Sequence, residues 1–450
     1  MQKKSQGKVA PDSKMPYCET EKEARAQWSS EPAFVFSMAA AAVGLGNLWR
    51  FPYMVGENGG AAFIIAYLIS LVLLAMPIMM LEVGAGRMTQ GSVVATFAKV
   101  KGIGRIYGWA VVILTIIITS YYLVVTGWTM GYAFNAVQGN LRIFEDFTSG
   151  YDSVWFFLAV TVLAGLVLLK GVAAIEKLSK ILMPVLVLMI VSIVYLASQM
   201  DGWGQAKDFL TQADFSRLGD LRLWFFAVGQ AFYTLAIGQG YLVTYGSYIP
   251  RKTHLPRATL IVAFTETSIA LLAGLMIFPF VFTFGMDPGE GSQLAFSTLP
   301  LVFEEMTGGL YLGIGFFTLF FLAAFSSCLA GLKVIISALE EQLSISHTKT
   351  VILVAVLMVI LGMPSALSFS PLELTIAGMP VLDFMDQFGG TNVVIASGIF
   401  GAGIFSWFVP RHKVRYSLGS KSRIWEFMIF IIARSLPFAA VALVIYHLIS

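Results

Sequence analysis

Two apolar stretches of this chain are each interrupted by a pair of glycines, at Val43-Gly44-Leu45-Gly46-Asn47-Leu48 and at Ile237-Gly238-Gln239-Gly240-Tyr241-Leu242. Each pair lies inside a run long enough to cross a bilayer. Glycine has the largest backbone entropy cost of ordering, so two of them one residue apart weaken a helix at that point. Within hydrocarbon, the backbone groups so freed are tolerated only where protein or a water-filled cavity satisfies them. The breaks must therefore face the interior of a helical bundle, and their half-helix ends would form a polar site near the midplane.

Composition puts the rest of the chain in the same environment. Of 450 residues, 57% are hydrophobic and 12% charged, with a mean hydropathy of +0.79, whereas a soluble domain carries about 25% charged residues. The pattern predicts an all-α integral membrane protein with eleven transmembrane helices near 31–57, 61–88, 104–138, 153–170, 172–199, 220–249, 257–284, 309–342, 349–365, 380–408 and 424–448. Basic residues concentrate in alternate loops: Arg87, Lys99, Lys101 and Arg105; Lys170, Lys177 and Lys180; Arg251, Lys252 and Arg257; Arg411 to Arg423. Segments 285–308 and 366–386 have no Lys or Arg. That asymmetry predicts a cytoplasmic N-terminus and an external C-terminus. The first 30 residues, polar with six Lys/Arg, read as a cytoplasmic tail rather than a signal peptide.

The two breaks fall 194 positions apart (Gly44 to Gly238), in the first and sixth runs. They stand five spans apart in order, so the second copy starts inverted. The expectation is a 5+5 inverted repeat with discontinuous helices 1 and 6, plus one additional helix. Residues 1–30 form the tail, 31–408 the core (repeats 31–199 and 220–408), and 409–450 a cytoplasmic loop and the eleventh helix. A stretch near 292–306 is expected as an external helical lid. Matched breaks in two halves are the mark of a secondary transporter with its site between the repeats.

Other classes fit poorly. A net charge of +3 implies no nucleic-acid partner, and Cys18 and Cys328 lie too far apart in sequence and setting to suggest a disulfide framework or metal site. A channel would show charge rings or a continuous polar face. A receptor would add a soluble signalling domain. An enzyme would need a nucleophile–base or His-Glu-x-x-His set, which is missing.

The run Val43 to Tyr53 (VGLGNLWRFPY), followed by Glu57-Asn58-Gly59-Gly60, resembles the first membrane helix of the neurotransmitter:sodium symporter family, and the resemblance extends from Gln27-Trp28 to the tenth span. Missing glycosylation patterns, a short 139–152 loop and eleven spans look prokaryotic, which implies the cell (inner) membrane. The resemblance implies the fold of the bacterial leucine transporter, sodium-coupled uptake of an amino acid by alternating access, no organic cofactor, and a monomer or homodimer. A proton-coupled or exchange-type carrier of the same fold, or a non-transporting amino-acid sensor, are the alternatives.

Carried over residue by residue, the substrate site comprises Ala42, Gly44, Leu45, Gly46, Ile118, Tyr122, Tyr233, Thr234, Ala236, Gln239, Ser327 and Gly331. Relatives that carry amines place an aspartate at position 44; the glycine here implies a substrate that brings its own carboxylate. The helix end near Leu45 and Gly46 would receive it, with the Tyr122 hydroxyl. Ala236, Gln239 and Gly331 stand where the leucine transporter has serine, phenylalanine and isoleucine. The lost isoleucine volume implies a bulky neutral side chain, large aliphatic or aromatic.

Two sodium sites are implied. The first would use Ala42, Asn47, Thr234 and, in the seventh span, Thr265 or Glu266; the second would use Ala40, Val43, Ala323, Ser326 and Ser327. Sodium, a hard cation, is served by such oxygens, as calcium and magnesium are. Animal relatives need chloride nearby, whereas the leucine transporter has a carboxylate at the position of Ile269. Glu266, the acid of that span, is expected to supply the negative charge, so chloride is not expected. Arg50 and Asp386 would form the external gate, and Arg25, Trp28, Tyr248 and Glu341 the cytoplasmic closure. In the fifth span Ala174 replaces a family glycine, which disfavours unwinding there.

Overall fold

The structure, a computed structural model, describes residues 26–100, 102–250, 253–289, 295–296, 298–410, 412, 426–427, 429–436 and 438. Helix α1 (Glu31–Ala42) starts at Ser30, whose hydroxyl accepts from the Ala33 N–H, with Glu31 and a proline in the first turn. It ends at Val43, whose ψ of 102° is extended. Helix α2 (Gly46–Glu57) resumes after the break, bent by 54° from α1.

Seven helices are long and apolar enough to cross a membrane, or eight with the bent pair α1–α2 counted as one. The seven are α3 (Ala61–Thr89), α4 (Gly104–Val137), α6 (Val172–Ala197), α9 (Leu255–Thr283), α10 (Gly309–Leu343), α11 (His347–Ala366) and α12 (Val381–Phe408). Between them lie α5 (Asp152–Leu168), α7 (Leu221–Thr234) and α8 (Tyr241–Gly246). Ten of the expected runs are thus occupied by helix. The eleventh, 424–448, lies largely outside the described residues, although 429–436 are helical.

The second break separates α7 from α8. Ala236, Gly238 and Gly240 take φ of 54°, 76° and 77°, in the left-handed region. Gly238 and Gly240 do so without steric penalty, but Ala236 does not. Such strain persists only when the surroundings over-determine it. Close packing holds α8 in place: a Cβ on Gly86 of α3 would lie 1.9 Å from the Val243 carbonyl oxygen, and one on Gly246 would lie 2.4 Å from that of Val83. Small residues permit this backbone approach.

Outward-facing positions on α6 (Leu188, Tyr195), α9 (Phe264) and α11 (Ile360) are exposed apolar side chains, as expected for a surface facing lipid tails. Helix α6 runs unbroken through Ala174. The expected lid contains a helix, Thr298–Glu305. Phe296 just before it is buried, packed against Trp49, Trp128 and Tyr132.

Candidate substrate and ion site

The first break is a dense polar knot built from the freed backbone. The Gly44 N–H donates to Asn47 Oδ1 (3.2 Å) and the Leu45 N–H to the Tyr122 hydroxyl (3.0 Å). Ser327 of α10 donates to the Ala41 carbonyl (3.0 Å) and lies 3.4 Å from that of Val43. Gln230 of α7 donates to the Gly46 carbonyl (2.9 Å). Glycine is required at 44 by approach: a Cβ there would sit 2.4 Å from Ser327 Oγ and 2.6 Å from the Tyr122 hydroxyl. At Gly46 a Cβ would meet the Tyr233 ring at 2.9 Å. Since the Gly44 and Leu45 N–H groups are already bonded, a carboxylate arriving there would exchange for Asn47 or Tyr122.

Glu266 closes the knot from α9. It is fully buried, and its Oε1 accepts from Asn47 Nδ2 at 2.6 Å. Its Oε2 accepts from Thr267 (3.2 Å), with the Tyr67 hydroxyl at 3.5 Å. Thr265, the other candidate from that span, is half-buried beside the outward-facing Phe264 and makes no side-chain hydrogen bond to the cluster among the described residues. One residue is about 100° of helix, and that turn separates the two candidates. Thr234, buried, donates to the Gln230 carbonyl (3.0 Å) in the preceding turn.

Ala40, Ala42, Val43, Ala323 and Ser326 are buried where α1 meets α10, with Ser326 donating to the Ala323 carbonyl (2.9 Å). Among the described residues no group of three His, Cys, Asp or Glu could hold a metal ion. The oxygens that converge are carbonyl, amide and hydroxyl groups plus one carboxylate, a set suited to a hard monovalent cation.

On the side-chain pocket the structure departs from the expected volume. A Cβ on Gly331 would lie 2.5 Å from Thr119 Oγ1 and 2.6 Å from the Tyr241 hydroxyl. The room left by the smaller residue is taken up by these two polar side chains. Ile118, Ala236 and Gln239 are buried, and Thr115 donates to the Gln239 carbonyl at 2.8 Å.

The expected external gate is not a direct pair. Arg50 donates to Gln230 Oε1 (3.2 Å), its guanidinium 4.7 Å from the Tyr233 ring centre. Asp386, in the π-helical turn Asp386–Val393, accepts from the Tyr121 hydroxyl (2.8 Å). The Gln230 amide bridges Arg50 to the Gly46 carbonyl, and Asp386 still acts on the guanidinium electrostatically. At the opposite end Trp28 and Tyr248 do meet: Trp28 donates from its backbone to the Tyr248 carbonyl (2.9 Å) and from its indole to the Tyr245 carbonyl (3.0 Å). Glu341 accepts from the Ser92 N–H at 2.6 Å. Arg25 lies outside the described residues.

Several residues escaped the sequence reading. Glu82 of α3 accepts from the Gly238 N–H (3.0 Å), Ser397 donates to the Gly238 carbonyl (2.7 Å), and Tyr107 donates to the Ser397 carbonyl (2.6 Å). These satisfy the second break, as Gln230 and Ser327 satisfy the first. An acid within the apolar run 61–88 was the available signal.

The model of the sodium:neurotransmitter symporter family matches residues 25–152 and 148–450. An uncharacterized sodium-dependent transporter from Haemophilus influenzae is 32% identical over 426 residues, covering 89% of this chain and 93% of that protein. One from Bacillus subtilis is 32% identical over 401 residues, covering 85% and 87%. The human sodium- and chloride-dependent GABA transporter 2 is 26% identical over 332 residues, covering 61% and 55%. The crystal structure of MhsT in complex with L-phenylalanine superposes with a TM-score of 0.84 at 32% identity, covering 92% of this chain and 98% of that one.

Proposed function

This chain belongs to the sodium:neurotransmitter symporter family, a family of transporters rather than enzymes, and from that premise we propose that it imports a neutral amino acid with a bulky, aromatic or large aliphatic side chain. Uptake is coupled to sodium at two sites, runs by alternating access and is independent of chloride. The architecture is eleven spans in a 5+5 inverted repeat with one added helix, in a prokaryotic cell membrane, with the N-terminus inside and the C-terminus outside.

The observation that carries this reading is the bond from Asn47 to Glu266 at the first break. It sets a buried carboxylate against the Asn47 amide proposed for the first sodium site, which supports Glu266 rather than Thr265 as the contribution of α9 beside Ala42 and Thr234. A fixed negative charge there supports balancing sodium without chloride. Ser327, donating onto the α1 carbonyls next to Ser326 and Ala323, supports the second site. For the substrate, glycine at 44 and the N–H groups of Gly44 and Leu45 support capture of a carboxylate. MhsT binding L-phenylalanine supports the bulky side chain, although Tyr241 must move to admit one beside Gly331.

Equilibrium binding of labelled tryptophan and leucine to the purified protein tests the reading, with potassium replacing sodium and gluconate replacing chloride. Sodium-dependent binding that survives chloride removal and favours tryptophan is expected. Binding indifferent to sodium would overturn the coupling, and a chloride requirement would overturn the role of Glu266.

A further inference from the structure

Helix α10 carries a charge that the proposed function does not use. Ser326, Lys333 and Glu340 recur every seven residues, which is close to two helical turns, so they share one face of the helix. The uppermost is the hydroxyl at the proposed second sodium site. Lys333 is 4% exposed in the midst of apolar neighbours, and a lysine at such depth is costly and usually functional. Its ammonium lies 5.8 Å from the centre of the Tyr248 ring and 3.9 Å from Glu340 Oε2. Neither contact is a close hydrogen-bonded ion pair. Glu340 is held elsewhere: its other oxygen bonds His347 Nδ1, and His347 Nε2 lies 2.9 Å from the Leu168 carbonyl oxygen at the end of α5. Tyr248, which faces the ammonium, is the residue that Trp28 caps, and its hydroxyl pairs with Ser337 one turn below Lys333 (2.9 Å).

The lysine therefore stands between the proposed sodium sites and the closure formed by Trp28 and Tyr248. We propose that Lys333 is a fixed internal cation that opposes sodium: it weakens sodium binding while this end of the molecule is closed, and Glu340 partly offsets its charge. Ser326 and Lys333 are about 10 Å apart along the helix axis. The ammonium reaches beyond that separation toward Glu340, which partly offsets it; with the effective dielectric of a protein interior it lowers sodium affinity roughly three- to tenfold. When Trp28 and Tyr248 part and water reaches the lysine, screening removes the repulsion. The inference rests on the sodium coupling proposed above.

The test is the sodium concentration that half-saturates tryptophan binding in the full-length protein and in the variants Lys333→Met, Lys333→Arg and Glu340→Gln. Lys333→Met is expected to lower that concentration about three- to tenfold, and Lys333→Arg to leave it near the wild-type value. Glu340→Gln, which strips the counter-charge and keeps the lysine, is expected to raise it. A purely structural role would shift the midpoint of both neutralising variants in the same direction, which overturns the inference, as does an unmoved midpoint in both. If Lys333→Met does not fold, the rise in Glu340→Gln decides alone. Sodium-independent binding by the wild type would remove the coupling itself, whereas sodium-dependent binding with unmoved variants would overturn only the role of Lys333.

Discussion

The Asn47 side chain donates to Glu266 at 2.6 Å while its own Oδ1 accepts from the Gly44 N–H at 3.2 Å. One amide thus spans the first helix break and fastens it to the middle of α9. Asn47 thereby links the position of the carboxylate to the turn that carries Gly44.

Glu266→Gln keeps the shape of this contact and removes its charge. A hydrogen bond to a charged group contributes about 1.5–3 kcal/mol, so the sodium needed for half-saturation should rise by at least tenfold. Added chloride should restore part of the loss by supplying the missing negative charge. Sodium titrations in chloride and in gluconate read both effects, and an unchanged sodium midpoint would remove Glu266 from the site.

Gly44→Ala places a methyl group against Ser327 Oγ and the Tyr122 hydroxyl, both nearer than 3.0 Å to its position. Real Cβ atoms do not approach so closely, so both hydroxyls must withdraw from the backbone they bond. Substrate affinity should fall by about a hundredfold, comparable to losing two hydrogen bonds near a charged ligand group. Isothermal titration with the preferred amino acid measures it.

Gly331→Ile would drive Thr119 and Tyr241 apart. Overpacking of this kind costs about 1–3 kcal/mol, and it would fall on the floor of the proposed side-chain pocket. Tryptophan binding should weaken more than tenfold while alanine binding changes little. Equal loss for both ligands would place Gly331 outside the pocket.

Glu176 of α6 accepts from the Ser29 N–H (2.9 Å) and from the Ser29 hydroxyl, and pairs with Lys180 (2.6 Å). This clasp holds the chain just before α1 against α6. Glu176→Ala should free that end, raising amide hydrogen exchange across residues 29–34 about tenfold without comparable change in α9. Unaltered exchange would mean that the remaining contacts, those of Trp28 and Glu31, suffice to anchor the segment.

Much of this architecture was legible in the chain because a membrane makes the rules strict. Apolar length marked ten runs that the structure fills with helix, and paired glycines marked both breaks, since no other residue yields so readily there. The residues proposed to hold substrate and ions near Gly44 were legible because they adjoin that motif. Glu82 showed itself only as an acid within an apolar run; its role was not legible, because its partner, the Gly238 N–H, is 156 residues away. The strained φ of Ala236 carried no signal either, because alanine ordinarily favours a helix.

The sequence by itself determined the membrane setting, the positions of the helices and the two places where the backbone breaks, because burial, hydrogen-bond satisfaction and glycine entropy act locally. Only the tertiary structure decided which side chains answer those breaks. The rotation of α9 turns Glu266 rather than Thr265 toward the first break, Gln230 rather than Asp386 accepts from Arg50, and Tyr241 fills the space beside Gly331. Each of these choices depends on the phase and separation of helices distant in sequence, and a few ångströms of packing decide which hydrogen bond or contact forms.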